Sequence, residues 1–192
     1  AVFMPTASMG NEAALLAHVP RGGEIIAGKG FHIVEDEAAG HAGIVGASLR
    51  TLDERPDGTL DPADLARAWR DPDDPHHPIT SLIGLENTHA MSMGQPLTAE
   101  YTSAIAAIAH ERNVPLHVDG ARLFNAEIAT GTPAAELVRD ADSVQICLPK
   151  GLACPIGAVV AGDRGFVHRA RTARKLLGGG RRPAGPHGLG LQ

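Results

Sequence analysis

The feature that most constrains this chain is a rhythm of short apolar runs and longer stretches of helical period. Residues 24–27, 46–52, 81–85, 116–118, 143–148 and 158–161 read as extended. Between them lie helical signals. Residues 12–18 are rich in Ala and Leu. Asp61-Pro62 opens a helix running to Trp69 or Arg70, with Asp as cap and Pro at the first helical position. Thr98 opens another, with Tyr101, Ala104, Ile105 and Ile108 on one face. A last helix spans 163–177, and its later turns carry Arg169, Arg171, Arg174 and Lys175, as the helix dipole favours. Residues 32–34 form a further candidate extended run and 35–41 a short helix, while the Pro/Asp-rich 71–78 is a loop. Strands alternating with covering helices predict an α/β fold: a mostly parallel sheet in three α/β/α layers.

Composition narrows the class. The chain has 192 residues, 43% of them apolar, which suits one domain and excludes a disordered chain. Its two cysteines, Cys147 and Cys154, have neither a zinc-ligand nor a redox-pair spacing. That usage points to a reducing, cytoplasmic compartment. A net charge of −5 argues against duplex nucleic acid as a partner. The apolar runs are too short to span a membrane, and the chain does not open on a signal peptide.

In open α/β sheets, reactive groups gather beyond the carboxyl ends of the strands. Here Asp119, Lys150 and residues 86–89 fall at such ends, and the small-residue turn Thr6-Ala7-Ser8-Met9-Gly10 leads into a helix. A lysine to form a Schiff base, an aspartate to keep a pyridine nitrogen protonated and a helix terminus for a phosphate are the parts of a pyridoxal phosphate site. Taken singly each is weak. A lysine after a strand is usually a solvated loop residue, an aspartate there is often a helix cap, and a small-residue turn often only starts a helix.

Their order carries more. Pro5-Thr6-Ala7-Ser8-Met9-Gly10-Asn11, Leu85-Glu86-Asn87-Thr88-His89, His117-Val118-Asp119-Gly120-Ala121-Arg122-Leu123-Phe124-Asn125-Ala126, Lys150-Gly151-Leu152 and Arg174-Lys175-Leu176-Leu177-Gly178-Gly179-Gly180 follow one another. Together they resemble the low-specificity L-threonine aldolases of the aromatic amino acid beta-eliminating lyase/threonine aldolase family, pyridoxal-phosphate enzymes of fold type I. The resemblance implies Lys150 as the Schiff-base lysine and Asp119 as the pyridinium partner. It implies Arg122 as the holder of the substrate carboxylate and Ala7 with Ser8 as the phosphate-binding pair. His32 matches the histidine stacked on the cofactor ring, and His89 one near the substrate hydroxyl. Lys175 and Arg182 fall where the family has basic residues near the cofactor, partly from a neighbouring subunit. The implied reaction is retro-aldol cleavage of L-threonine or L-allo-threonine to glycine and acetaldehyde. The implied assembly is a homodimer or homotetramer. A β-eliminating lyase and an inactive cofactor-domain fragment are the alternatives.

The sequence also departs from that pattern. Pro149 stands where the family usually has Ser before the lysine, and Pro fixes φ and lacks an N–H. The chain starts at Ala1 without Met, and residues 181–192 are rich in Gly and Pro. From these ends we expect residues 1–180 to be a large cofactor domain incomplete at its N-terminus, without the C-terminal small domain, followed by a disordered tail. No metal is expected. His76 and His77 read as solvated loop residues, and His18 and His117 carry no readable signal.

Overall fold

The computed structural model describes residues 1–180. Seven strands form one sheet: β1 (Val2–Met4), β2 (Glu24–Gly28), β3 (Ser48–Leu52), β4 (Thr80–Glu86), β5 (Leu116–Asp119), β6 (Ser143–Cys147) and β7 (Ala158–Gly162). Their spatial order is β1-β7-β6-β5-β4-β2-β3. Strands β2 to β6 pair in parallel, while β7 runs antiparallel to both β6 and β1. The helices are α1 (Ala7–His18), α2 (His32–Glu35), α3 (Pro62–Ala68), α4 (Ala99–His110), α5 (Leu123–Thr130), α6 (Ala134–Leu137) and α7 (Arg164–Leu176). A π-helical turn covers His41–Val45.

The two-residue period of the strands divides the core. Ile83 and Leu85 of β4 and Leu116 and Val118 of β5 pack with Leu65, Ile105, Ala106 and Leu123 from α3, α4 and α5. On the opposite face, α1 and α7 meet β1 and β7 through Ala13, Ala14, Val160, Phe166 and Ala170. Leu15 of α1 packs there with Ile25 and Leu82. Each fully buried Leu or Ile contributes about 1.5–3 kcal/mol, so both helical layers are held by the sheet's own alternation. Gly10 lets α1 close on β6, because a Cβ there would lie 2.8 Å from Gln145 Cγ. The same alternation turns His117 and Asp119 of β5 and Ser143 of β6 toward α1, where they meet Asn11 and His18.

The caps agree with the sequence at three helices. Asp61 Oδ1 accepts from the Ala63 N–H, Thr98 Oγ1 from Tyr101 and Asp163 Oδ1 from Phe166. Elsewhere the structure corrects the expectation. Helix α1 starts at Ala7 rather than at residue 12, because Thr6 Oγ1 accepts from the Met9 N–H and caps it there. Residues 32–34 are not extended. They lie in α2, whose Val34 and Glu35 N–H groups bond back to the Phe31 carbonyl. The helix expected over 35–41 is broken by Ala38 and Ala39, both left-handed, with φ of 51° and 54°. Strand β1 and helices α5 and α6 had no clear sequence signal. In α5 the exposed Phe124 and Ile128 blur the apolar period. The expected tail, residues 181–192, lies outside the described residues.

Candidate active site

The site is assembled at the carboxyl ends of β4, β5 and β6, beside the N-terminal half of α1. Asp119 ends β5 and is 3% exposed. Its Oδ1 accepts from the Ala121 N–H at 3.0 Å and its Oδ2 from Asn11 Nδ2 at 2.7 Å. Burial pushes its pKa up, and the Asn11 bond offsets this only in part. Lys150 lies in the turn after β6, exposed, and close enough for its charge to act on both Asp119 and His32. Gly151 brings that turn close to α5. A Cβ there would fall 2.0 Å from Asn125 Oδ1 on α5, so the chain beside Lys150 packs directly onto the helix that follows Asp119. Pro149 is exposed and leaves the turn closed, with the Cys154 N–H donating to the Leu148 carbonyl at 3.1 Å.

His32 opens α2 and is half-buried. Its Nδ1 lies 3.0 Å from Glu37 Oε1, and that bond raises its pKa against the effect of burial. Glu86, at the end of β4, ties two loops together. Its carboxylate accepts from the His32 N–H at 2.7 Å and from the Ala90 N–H at 2.8 Å, and burial raises its pKa.

His89 is buried, edge-on to Phe31 with ring centroids 5.3 Å apart, and Gly58 presses against its ring. The Ser92 hydroxyl lies 3.0 Å from His89 Nδ1 and 3.3 Å from the His89 carbonyl. Among the described residues, His89 Nε2 is buried without a hydrogen-bond partner, 4.0 Å from Glu54 Oε1. Burial lowers the pKa of His89, so its ring is neutral and a proton acceptor at neutral pH.

Arg122 is exposed at the start of α5 and lines a cleft of about 460 Å³ with Thr88, Met93 and Asn125. Ala7 and Ser8 form the first turn of α1, where the leading N–H groups of a helix have no intrahelical partners. Lys175 is exposed in the last turn of α7. The chain just beyond it, at Gly179, lies against Met9, which brings the end of α7 to the first turn of α1. Arg182 lies outside the described residues.

Asn11, Glu37 and Glu86 are the site residues that sequence reasoning missed. Glu86 and Asn11 stood within motifs of the sequence without a role, and Glu37 lay in the acidic run Glu35-Asp36-Glu37, which reads as solvated. Among the described residues, His32, Glu37 and Asp119 also form a group whose ligand atoms lie within 4.8 Å of one another. The Asn11 amide donates to both carboxylates, so the cluster is a hydrogen-bonded one. The donor set fits pyridoxal phosphate. Asp119 is a buried carboxylate short of a positive partner, and a protonated ring nitrogen is such a partner.

The fold and the site define a class, the fold-type-I pyridoxal-phosphate enzymes. The threonine aldolase of Leishmania major superposes with a TM-score of 0.77 at 26% identity, over 92% of this chain and 51% of that one. Within that class, the family model described as beta-eliminating lyase matches residues 1–187, and the chain belongs to this family. Family members are pyridoxal-phosphate enzymes. The low-specificity L-threonine aldolase 1 of Arabidopsis thaliana is 46% identical over 187 residues, 96% of this chain and 52% of that protein. The low specificity L-threonine aldolase of Escherichia coli K12 is 42% identical over 185 residues, 96% of this chain and 54% of that protein. The chain thus spans about half the length of the curated relatives it matches.

Proposed function

We propose that this chain is the cofactor-binding large domain, residues 1–180, of a cytoplasmic, homo-oligomeric low-specificity L-threonine aldolase. Its reaction is the cleavage of L-threonine or L-allo-threonine to glycine and acetaldehyde. The observation that carries the reading is the buried Asp119, aligned by Asn11 and within electrostatic reach of both Lys150 and His32. Pyridoxal phosphate, when bound, supplies an electron sink for the charge left on the α-carbon as the Cα–Cβ bond breaks.

The chain's residues do the rest. Lys150 would hold the cofactor covalently, Asp119 would keep its ring nitrogen protonated, and His32 would lie against the ring. Ala7 and Ser8 offer backbone N–H groups to the phosphate, with Lys175 and Arg182 adding positive charge nearby. Arg122 would grip the substrate carboxylate and so set the orientation of the bond to be broken. His89, or a water it orients, is the candidate to take the proton from the β-hydroxyl.

A second reading rests on the chain spanning about half of its relatives. In it, the chain binds the cofactor and turns nothing over. Purified protein mixed with pyridoxal phosphate is expected to gain visible absorbance that Lys150→Ala abolishes. Glycine and acetaldehyde formed from L-threonine then support the aldolase, and absorbance without cleavage supports the second reading. Ammonia and a keto acid in their place favour a β-eliminating lyase. A wild-type chain with no visible absorbance defeats both cofactor readings.

A further inference from the structure

Asn11 is fully buried in the first half of α1. Its Nδ2 stands 2.7 Å from Asp119 Oδ2 and 2.8 Å from Glu37 Oε1. Both oxygens accept, so both amide hydrogens are used and the orientation of the amide is set. Asn11 Oδ1 is then left to accept from His117 Nε2, 3.3 Å away. His117 is fully buried, and burial pushes its pKa down to about 3. It is therefore neutral, with its one ring proton on Nε2. Its Nδ1 accepts from the Ser143 hydroxyl at 2.8 Å, and Ser143 Oγ accepts in turn from His18 Nε2 at 2.8 Å. At the other end, Glu37 Oε1 also accepts from His32 Nδ1 at 3.0 Å. One directed run of hydrogen bonds passes from His18 through Ser143, His117 and Asn11 to the carboxylates of Asp119 and Glu37, and Glu37 accepts from His32 as well.

We propose that Asn11 is a positioning residue of the cofactor site. Its amide yokes the carboxylate that faces the ring nitrogen to the carboxylate that orients the stacking imidazole. The proposal rests on the cofactor reading above. Among the described residues Asp119 Oδ2 has no other hydrogen-bond donor, so removing Asn11 leaves that oxygen buried and unsatisfied. The His117–Ser143–His18 segment holds the amide the right way round from the other side. Asn11 is thus aligned from below and aligns the site above, without touching the cofactor itself.

The experiment uses the full chain and two variants. Asn11→Leu keeps the size and removes the amide, and it is expected to weaken pyridoxal phosphate binding about ten-fold or more, read by absorbance titration. That change can also cost the fold, so Ser143→Ala, distant from the cofactor, is paired with it. Ser143→Ala removes the hydroxyl that donates to His117 Nδ1 and accepts from His18, and it leaves the Nε2–H bond to Asn11 Oδ1 in place. Imidazole ¹⁵N spectra of the cofactor-free protein are expected to show the Nε2–H form of His117 in the wild type and a shifted Nδ1 signal in Ser143→Ala. With its alignment weakened, cofactor affinity in Ser143→Ala falls by a factor of about two to three. Wild-type affinity in a folded Asn11→Leu, or in a folded Ser143→Ala, overturns the proposal. So does an Nδ1–H form of His117 in the wild type. A wild-type chain that fails to bind pyridoxal phosphate at all defeats the cofactor reading, and this inference with it. Normal wild-type binding with unchanged variants defeats the role of Asn11 alone.

Discussion

The floor and the rim of the site are built differently. Asp119, Asn11, His117 and Ser143 form the floor, each at most 3% exposed and each held by at least two hydrogen bonds. The rim is Arg122, Lys150 and the 88–96 loop, where Met91 is 72% and Met93 96% exposed. The floor is fixed by the sheet, because neighbouring strands and α1 leave its polar groups nowhere else to bond. The rim loop is tied at its base, by Glu86 to the Ala90 N–H and by the His89 N–H to the Gln95 carbonyl, and only its tip turns to solvent. On the proposed reading, the residues that face a bound ring sit where the fold is rigid, and Arg122 and Lys150 sit where side chains are exposed.

The comparison breaks most easily at Arg122. In the cofactor-loaded protein, Arg122→Ala is expected to weaken binding of glycine or L-threonine about 10–100-fold, the worth of a charged hydrogen-bonded contact. The thermal midpoint should stay unchanged, because the side chain is exposed. Spectral titration with the amino acid measures the first and a melting curve the second. A lowered midpoint with unchanged binding would make Arg122 part of the scaffold and erase the contrast.

Glu12, buried on α1 next to Asn11 under the floor, makes the opposite prediction: a stability effect that follows pH. Burial, with the Glu37 carboxylate beside it, pushes Glu12 up to about 7 from its ordinary 4.5. The folded state then holds a proton that the unfolded state has released. Stability from this group is complete below pH 4.5 and is lost as pH rises toward 7. His18 and His117 act in the other direction. Burial lowers them to about 4 and about 3, so their contribution is present above 6.5 and lost on acidification. Glu12→Gln is therefore expected to gain stability relative to wild type between about pH 5 and 7.5, on the order of 1–2 kcal/mol. Denaturant midpoints at both pH values measure it, and an equal offset at the two would show that Glu12 does not titrate in the fold.

How much of this the sequence disclosed follows the same division. Asp119 and Lys150 were legible, because a strand followed by a reactive residue is a local signal. The floor beneath them was not. Leu116-His117-Val118-Asp119 and Ser143-Val144-Gln145-Ile146 do alternate. Only the packed sheet shows that the polar members face α1. Asn11 was lost when α1 was started at residue 12, which left Asn11 in a turn. Glu37 was lost because its place depends on the chain reversal at Ala38 and Ala39, a left-handed pair that composition does not announce. His89 stood in its motif in the sequence, but its burial behind Phe31 and Gly58 depends on contacts distant in sequence.

The smallest expected effect tests the rim. Met93 has a left-handed backbone, φ 57°, and an almost fully exposed side chain. Asn adopts that conformation more readily than Met, and no buried contact is given up. Met93→Asn is therefore expected to change stability by no more than about 0.5 kcal/mol, read from the denaturant midpoint. Cofactor absorbance should be unaltered, because Met93 stands across the cleft from Arg122 rather than on the floor. A loss above about 1 kcal/mol that grows with protein concentration would mean that another copy covers this rim in solution. The rim's apparent freedom would then belong to the isolated chain, and the contrast with the floor would be one of assembly rather than of fold.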